Sequence, residues 1–265
     1  IAQVIAAAGY RTVVREVNDK ALDAGLGRIR KFLADGVTRG NVTPEQRAST
    51  LSHLTGTTSV ADLRSCDLVI EAIVENLDAK REIYAALDDV LHENTIVVSN
   101  TSSLCIMELA AATRRPDRFA GVHFFNPVPL MKLVEVIRAL TTTQQTHDTL
   151  VEFVRSLGKE PISAPDRPGF IVNRLLVPYL LDAIREYERG LGTIEDIDNG
   201  MKLGCGHPMG PFTLLDFVGL DTTYYIANIM FEEYREARFA PPPLLKRMVL
   251  AGHHGRKTKR GFYTY

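Results

Sequence analysis

The sequence predicts an α/β protein with a mostly parallel sheet in its first part and an all-helical second part. Two observations predict this class. Up to about residue 165, short apolar runs typical of strands alternate with amphipathic helical stretches, the pattern of a parallel sheet. After the segment "SAPDRPGF" (163–170), long apolar helical stretches replace the strand-like runs. We therefore predict two domains, 1–165 and 166–265, that meet at the "DRPG" motif.

The first domain is predicted to begin with a helix that a glycine closes, followed by a strand at 12–17. A helix at 20–36 follows, because apolar residues recur there at helical spacing. Thr43, Pro44 and Gln46 form the signature of a capping box, which predicts another helix start. The remaining runs predict strands at 66–73, 95–100, 118–125, 132–137 and 159–163, and helices at 76–93 and 146–157.

The second domain is predicted to be helical almost throughout. Its apolar stretches predict helices at 170–189, 193–202, 211–234 and 242–250. The basic and aromatic end of the chain, 252–265, is predicted to form a solvated hairpin rather than a nucleic-acid patch. The sequence shows no internal repeat, so no repeat architecture is expected.

The composition excludes several classes of function. The chain has 265 residues, 45% of them hydrophobic and 24% charged, with a net charge of −1, so neither nucleic acid nor an anionic membrane is an expected partner. The longest apolar runs are shorter than the roughly 18 residues that a membrane span needs. The three cysteines are widely spaced, which favours a reducing compartment, the cytoplasm. A targeting segment upstream of Ile1 stays open.

Polar residues that follow strands are the candidates for a ligand site, because ligands bind beyond the carboxyl ends of strands in open parallel sheets. Glu16 follows the first strand, where an acid accepts hydrogen bonds from the ribose hydroxyls of a dinucleotide and repels a 2′-phosphate. A solvated glutamate at a strand end is the alternative. Arg15, its neighbour, leaves the choice between NAD and NADP open.

Two further strand ends carry polar clusters. Glu75 follows a strand and Lys80 lies one turn into the next helix, which fits either a cofactor contact or a surface ion pair. The motif "SNTSSL" (99–104) contains Asn100 and Ser102, whose side chains could hydrogen-bond a carbonyl or an alcohol. Helix capping is the alternative for this motif.

The stretch "GVHFFNPVPLMKLVEVI" (121–137) places one ionisable residue in each of two apolar runs. A buried carboxylate is costly unless it is paired, and a buried imidazole needs partners for both nitrogens. If the two runs are adjacent strands joined at "NPVP", His123 and Glu135 meet. The carboxylate then fixes one imidazole tautomer, and the other nitrogen serves as a general base. A structural pair in the core is the alternative.

Asn173 lies on the first predicted helix of the second domain, on an otherwise apolar face. This placement suggests that its amide reaches into a cleft between the domains, with a helix-packing hydrogen bond as the alternative. The adjacent His253 and His254 lack further ligands at metal spacing, so no metal site is predicted.

Several blocks of the sequence, in order along its whole length, resemble the NAD-dependent L-3-hydroxyacyl-CoA dehydrogenase family, and in particular its bacterial 3-hydroxybutyryl-CoA dehydrogenases. The blocks are "SNTSSL", "RFAGVHFFNPVPLMKLVEVI", "DRPGFIVNRLLVPYL", "MKLGCGHPMGPFTLLDFVGLDT" and "GRKTKRGFYTY". Several such blocks in order are far more specific than a single glycine motif.

This resemblance implies a Rossmann-type NAD-binding domain followed by a helical domain that binds substrate and forms a homodimer. It implies reversible oxidation of a (S)-3-hydroxyacyl-CoA to the 3-oxoacyl-CoA with NAD as the hydride acceptor, in fatty acid β-oxidation or butanoate metabolism. By matching motif positions, it implies His123 as the catalytic base and Glu135 as its orienting partner. It implies that Ser102 and Asn173 contact the C3 oxygen and that Asn126 supports the site. The residues implied to line the NAD site are Glu16, Glu75, Lys80 and Asn100.

The chain departs from the family pattern in two ways. The family's first strand and its G-x-G-x-x-G loop are not found in residues 1–265, so we expect them upstream of Ile1, since the sheet would otherwise have a gap. The acid at the end of the next strand is commonly Asp in the family and is Glu16 here, one methylene longer, which leaves the strength of the NAD preference open.

Two other functions stay open. A relative that acts on a free hydroxy acid shares the fold and the histidine, and turnover on acyl-CoA thioesters and free acids separates the two. A non-catalytic structural protein could reuse the scaffold, although the intact His123–Glu135 pair and "SNTSSL" argue against it. The sequence leaves the acyl chain length open. Four basic residues on one helical stretch could meet the coenzyme A phosphates, with a solvated basic face as the alternative that the sequence favours, and they are Arg28, Arg30, Lys31 and Arg39.

Overall fold

The computed structural model describes all residues 1–265. The chain divides into two compact units, Ile1–Asp166 and Arg167–Tyr265. The first unit alternates strands and helices and the second contains no named strand, so the predicted α/β class followed by an all-helical part is confirmed. No helix of either unit combines the length and the apolar character needed to cross a membrane.

The strands of the first unit form two sheets. β1 (Thr12–Arg15) pairs in parallel with β2 (Leu54–Thr57), and these two form a sheet of their own. The second sheet has five strands in chain order, which are β3 (Leu68–Glu71), β4 (Ile96–Ser99), β5 (Phe119–Phe124), β6 (Leu133–Arg138) and β7 (Glu160–Pro165). All its pairings are parallel except that of β5 with β6. The strand expected upstream of Ile1 lies outside the described residues and stays a prediction.

The first unit has six α-helices, and four of them begin with a side-chain cap. The helices are α1 (Ala2–Ala7), α2 (Asp19–Thr38), α3 (Pro44–Ser52), α4 (Leu77–Asp88), α5 (Ile106–Ala110) and α6 (Gln144–Ser156). Asn18, Thr43, Asn76 and Thr143 each accept a hydrogen bond from the backbone N–H three residues on. Such a cap contributes typically about 1 kcal/mol. The capping box predicted at Thr43 is confirmed.

Strand β2 and helix α5 are not predicted by the sequence, because both depend on distant contacts. β2 is the short run "LTGT", and a Cβ at Gly56 would lie 2.9 Å from Leu26 Cδ1, so α2 packs directly on its backbone. The first amides of α5, on Ile106 and Met107, donate to the Asp166 carboxylate at 2.7 and 2.6 Å. A carboxylate 60 residues away thus caps this helix, which no local pattern reveals.

The core of the first unit fixes which face of the five-stranded sheet each side chain occupies. Val122 and Phe124 of β5 and Val134 and Val136 of β6 form one buried cluster with α6. Because side chains alternate along a strand, the residues between them point to the opposite face. Burial of each such side chain contributes about 1.5–3 kcal/mol, so a shift of register is strongly disfavoured.

The second unit consists of α7 (Val172–Glu188), α8 (Ile194–Cys205), α9 (Pro211–Val218), α10 (Leu220–Tyr234) and α11 (Pro243–Leu250). The single helix predicted at 211–234 is wrong, since the chain breaks at Gly219, whose φ of +104° lies outside the helical region. The predicted terminal hairpin is reduced to isolated bridges between Gly255, Arg260 and Thr264. Buried Asp216 holds this segment by accepting from the N–H groups of Phe262 and Tyr263, each at 2.9 Å.

Candidate active site

His123 and Glu135 form a buried pair across the antiparallel strands β5 and β6. The register places them directly opposite each other, on the sheet face away from α6. Nδ1 of His123 lies 2.8 Å from Oε2 of Glu135, whose side chain has an exposed fraction of 0%. Because a carboxylate can only accept, Nδ1 donates, and Nε2 of the neutral imidazole is left as an acceptor. The predicted meeting of these two residues is therefore present in the structure.

The ring of His123 is held from two further sides. The Ser102 hydroxyl lies 3.1 Å from Nε2 and, given the tautomer, donates to it. The ring of Phe125 lies 4.6 Å from the imidazole, centroid to centroid, at a tilt of 53°. The imidazole is thus fixed in orientation, with its basic nitrogen facing a hydroxyl rather than the core.

The turn that carries Ser102 is organised by Glu75. The Glu75 carboxylate accepts from the backbone N–H of Ser102 at 3.1 Å, from the Ser103 hydroxyl at 3.3 Å and from the Thr101 hydroxyl. Thr101 in turn accepts from the N–H of Leu104 at 2.9 Å. The motif "SNTSSL" therefore contains hydrogen bonds that hold its own turn, and one hydroxyl, that of Ser102, lies against His123.

Lys80 is not exposed at the site. Its side chain is buried, and Nζ lies 2.7 Å from Oε1 of Glu71 and 3.2 Å from Oε2 of Glu75. Sequence analysis missed Glu71, although one signal was present, a carboxylate that directly follows the apolar run "LVI" of β3. The Glu75 side chain, by contrast, is 26% exposed.

Asn100 and Asn126 frame the carboxyl ends of β4 and β5. Asn100 Oδ1 accepts from the backbone N–H of Phe124 at 2.9 Å, which ties the ends of the two strands together and leaves the amide NH₂ as a donor. Asn126 is exposed in the loop after β5.

The hydrogen-bonding groups at the strand ends fit NAD in kind. Glu16 follows β1, its N–H donates to Thr57 at 3.1 Å, and its half-buried carboxylate is an acceptor of the type that ribose hydroxyls require. Beside it, Nε of Arg15 is buried without a hydrogen-bond partner. Asn100 supplies a donor and Glu75 a second acceptor. The residues of this chain that would hold the cofactor are therefore Glu16, Glu75 and Asn100, with Lys80 behind Glu75.

Asn173 belongs to the second unit. It is the second residue of α7 and half-buried, and the guanidinium of its neighbour Arg174 lies 4.0 Å from the ring centroid of Tyr234. The four basic residues considered for coenzyme A lie on α2 or just after it. All four are exposed, and they are Arg28, Arg30, Lys31 and Arg39. No group of three or more His, Cys, Asp or Glu side chains is arranged to hold a metal ion.

Models of the two domains of one protein family match the two parts of the chain. The family model described as "3-hydroxyacyl-CoA dehydrogenase, NAD binding domain" matches residues 1–167, and the model of the C-terminal domain of the same family matches 169–265.

Individual relatives extend this similarity. Human mitochondrial hydroxyacyl-coenzyme A dehydrogenase is 49% identical, over 100% of this chain and 87% of its own. A 3-hydroxybutyryl-CoA dehydrogenase of Mycobacterium tuberculosis is 49% identical, over 100% and 93%. The crystal structure of (S)-3-hydroxybutyryl-CoA dehydrogenase from Ralstonia eutropha superposes with a TM-score of 0.96 at 43% identity, over 100% and 93%.

Proposed function

The chain belongs to the 3-hydroxyacyl-CoA dehydrogenase family, and from this premise we propose a substrate and a role for each site residue. The protein is an NAD-dependent dehydrogenase of 3-hydroxyacyl-CoA. The proposed substrate is a short-chain (S)-3-hydroxyacyl-CoA such as 3-hydroxybutyryl-CoA, in fatty acid β-oxidation or butanoate metabolism. The names of relatives at 49% and 43% identity support this choice.

The observation that carries the proposal is the arrangement around His123. Nδ1 is bound by Glu135 at 2.8 Å, and Nε2 faces the Ser102 hydroxyl at 3.1 Å. In the oxidation, the proton of the C3 hydroxyl passes to Nε2, and the Glu135 carboxylate stabilises the imidazolium that forms. In the reduction the imidazolium returns this proton. Such general acid–base help is typically worth about 10²- to 10⁴-fold in rate.

Two side chains are proposed to hold the C3 oxygen beside His123. Ser102 already lies within hydrogen-bond distance of Nε2, so an oxygen bound there is within reach of both groups. For Asn173 the proposal is supported by the motif match alone. Asn126, in the loop after β5, is proposed to support the site. When bound, NAD⁺ supplies the acceptor for the hydride that leaves C3.

Glu16 is proposed to set the preference for NAD over NADP. Its carboxylate follows β1 and would repel a 2′-phosphate on the adenosine ribose. Glu75, Lys80 and Asn100 are proposed to line the same cofactor site, with Lys80 behind Glu75.

The proposed assembly is a homodimer formed through the second unit. Large apolar side chains on α7, on α8 and in the loop between them support this, because Leu175, Leu191 and Leu203 have exposed fractions of 69%, 69% and 85%. The proposed location is the cytoplasm, which is supported by three cysteines that form no disulfide.

The substrate is tested by mixing the full-length protein with acetoacetyl-CoA and NADH and following the loss of nicotinamide absorbance. Acetoacetate replaces the thioester in a second reaction, and NADPH replaces NADH in a third. Fast loss only with acetoacetyl-CoA and NADH is expected. Loss with acetoacetate but not with the thioester would assign a free hydroxy acid instead. No loss in any reaction, from a folded protein, would point to a non-catalytic role, and loss with NADPH would remove Glu16 as the discriminator.

A further inference from the structure

A buried polar cluster at the end of β3 has no role in the proton transfer described above. At its centre Glu71 accepts four hydrogen bonds. Its Oε1 accepts from the N–H of Ile73 and from Nζ of Lys80, both at 2.7 Å. Its Oε2 accepts from the hydroxyls of Tyr84 at 2.6 Å and Ser99 at 2.7 Å. We call Glu71, Lys80, Tyr84 and Ser99 the Glu71 cluster.

The Glu71 cluster is fully paired, although each of its members is buried. Removing a carboxylate and an ammonium from water is costly, and only complete hydrogen bonding offsets that cost. Burial, and then the negative charge of Glu71, raise the pKa of Tyr84, so its hydroxyl stays protonated and remains a donor. Four donors on two oxygens leave the Glu71 carboxylate a single orientation.

The ammonium of Lys80 connects this cluster to the site. From Glu71 it reaches Oε2 of Glu75 at 3.2 Å, while Oε1 of Glu75 accepts from the N–H of Ser102 at 3.1 Å. A second connection runs through Ser99, whose hydroxyl accepts from the N–H of Thr101 at 3.3 Å. Both connections end on the turn that places the Ser102 hydroxyl 3.1 Å from Nε2 of His123.

We propose that Lys80, Glu71 and Tyr84 are positioning residues for the Ser102 turn, acting through Glu75. The side chain of Lys80 lies behind Glu75 and is buried, so its ammonium reaches the turn through the Glu75 carboxylate. This inference rests on the proposed function, in which Ser102 holds the substrate oxygen. It adds to the place of Lys80 at the cofactor site a role as the support of Glu75.

The test uses a double variant that removes the buried charges together. Lys80→Met alone would leave Glu71 buried without its cation, which is strongly destabilising. In the double variant Lys80→Met, Glu71→Gln both charges are absent, while the glutamine can still accept from Tyr84 and Ser99. The matched control is Arg81→Met, which removes the next residue's cation on the same helix, where it forms exposed pairs with Asp78 and Glu108.

Three quantities are measured on each protein: turnover at saturating acetoacetyl-CoA and NADH, the Kd of NADH, and hydrogen exchange at the Ser102 amide. For the double variant we expect about a 10²-fold loss of turnover at saturation, the cost of a misplaced contact, in addition to any change in the Kd of NADH, because Glu75 also lines the cofactor site. Exchange at Ser102 should accelerate about tenfold, because its N–H loses a fixed acceptor. Arg81→Met should match wild type in all three.

Other outcomes would overturn the inference. Normal turnover and normal exchange at Ser102 would show that the cluster serves stability alone. A weakened Kd of NADH with normal turnover at saturation and normal exchange at Ser102 would mean that the cluster acts on the cofactor and not on the Ser102 turn. Hydrogen exchange at the Ser102 amide does not depend on activity. If the wild-type protein showed no turnover, the proposed function would be contradicted, and the exchange measurement would still decide whether the cluster positions the Ser102 turn.

Tyr84→Phe keeps the inference testable if the double variant does not fold. It removes one hydroxyl and keeps the edge contact of the ring with Phe119, at 5.1 Å between centroids. A roughly fivefold loss of turnover at saturating NADH is expected, the equivalent of one neutral hydrogen bond. Wild-type turnover in Tyr84→Phe would contradict the positioning role.

Discussion

The contact of Glu135 that matters for the proposed reaction is that of its Oε2 with Nδ1 of His123 at 2.8 Å. The carboxylate has no exposed surface, so water does not screen its charge from the imidazole. During turnover this carboxylate lies against the ring of the imidazolium that forms when His123, as the general base, accepts the proton.

Glu135→Gln should therefore reduce turnover by at least about 10²-fold, because the amide keeps the shape but does not stabilise the imidazolium. Steady-state turnover and the melting temperature are measured together. The control is Glu152→Gln, which removes a charge from an exposed pair with Arg155. Unchanged turnover with a lowered melting temperature would mean that the pair is structural.

For single residues, the sequence was informative where an ionisable side chain lay within an apolar run. One histidine and one carboxylate in apolar strands predicted the pair correctly, because burial of either group alone is costly. Lys80 was harder to interpret. Nothing in "ENLDAK" shows that its ammonium turns inward to Glu71, since that depends on a strand and a helix packing together. Glu71, Tyr84 and Ser99 come from three separate elements, and so no local spacing could bring them together.

Among the helices and strands, the sequence predicted β5 and β6 correctly, but it did not separate α9 from α10. Alternation places Val122 and Phe124 on one face and His123 on the other, so period-2 patterning determines both the core and the site. The helical pattern of 211–234 continues across Gly219, and periodicity alone does not report the positive φ there. The short strand β2 and helix α5 were missed because tertiary contacts, not propensity, support them.

The C-terminal segment of the second unit depends on a close approach of its backbone to Asp216. A Cβ at Gly261 would lie 1.9 Å from Oδ1 of Asp216, the atom that accepts from Phe262 N–H. Gly261→Ala should therefore lower the free energy of unfolding by about 1–3 kcal/mol, as overpacking does.

The matched control for Gly261→Ala is Gly204→Ala, where a Cβ meets nothing within 4 Å. Gly204 lies inside α8, so this change should be neutral or stabilise by about 0.5–1 kcal/mol. Both are measured by urea unfolding. Equal effects of the two substitutions would refute the account of Asp216 as an anchor.

For the molecule as a whole, the order of strands and helices along the chain was the feature of the sequence that best predicted the fold. Alternating strands and helices followed by helices alone predicted an α/β part and a helical part, and the family models match 1–167 and 169–265. The composition argued against nucleic acid and anionic membranes as partners, but it could not indicate a substrate. The substrate class was indicated by five sequence blocks spread along the chain. For this reason the family could be recognised although no G-x-G-x-x-G loop occurs in residues 1–265.

The central claim is that the whole protein oxidises and reduces 3-hydroxyacyl-CoA by means of His123. The most direct test is NADH-dependent reduction of acetoacetyl-CoA by wild type, His123→Ala and the control His92→Ala, an exposed histidine before β4. We predict a loss of at least about 10²-fold for His123→Ala in a folded protein, and wild-type rates for His92→Ala. Near-normal turnover by folded His123→Ala would contradict the account.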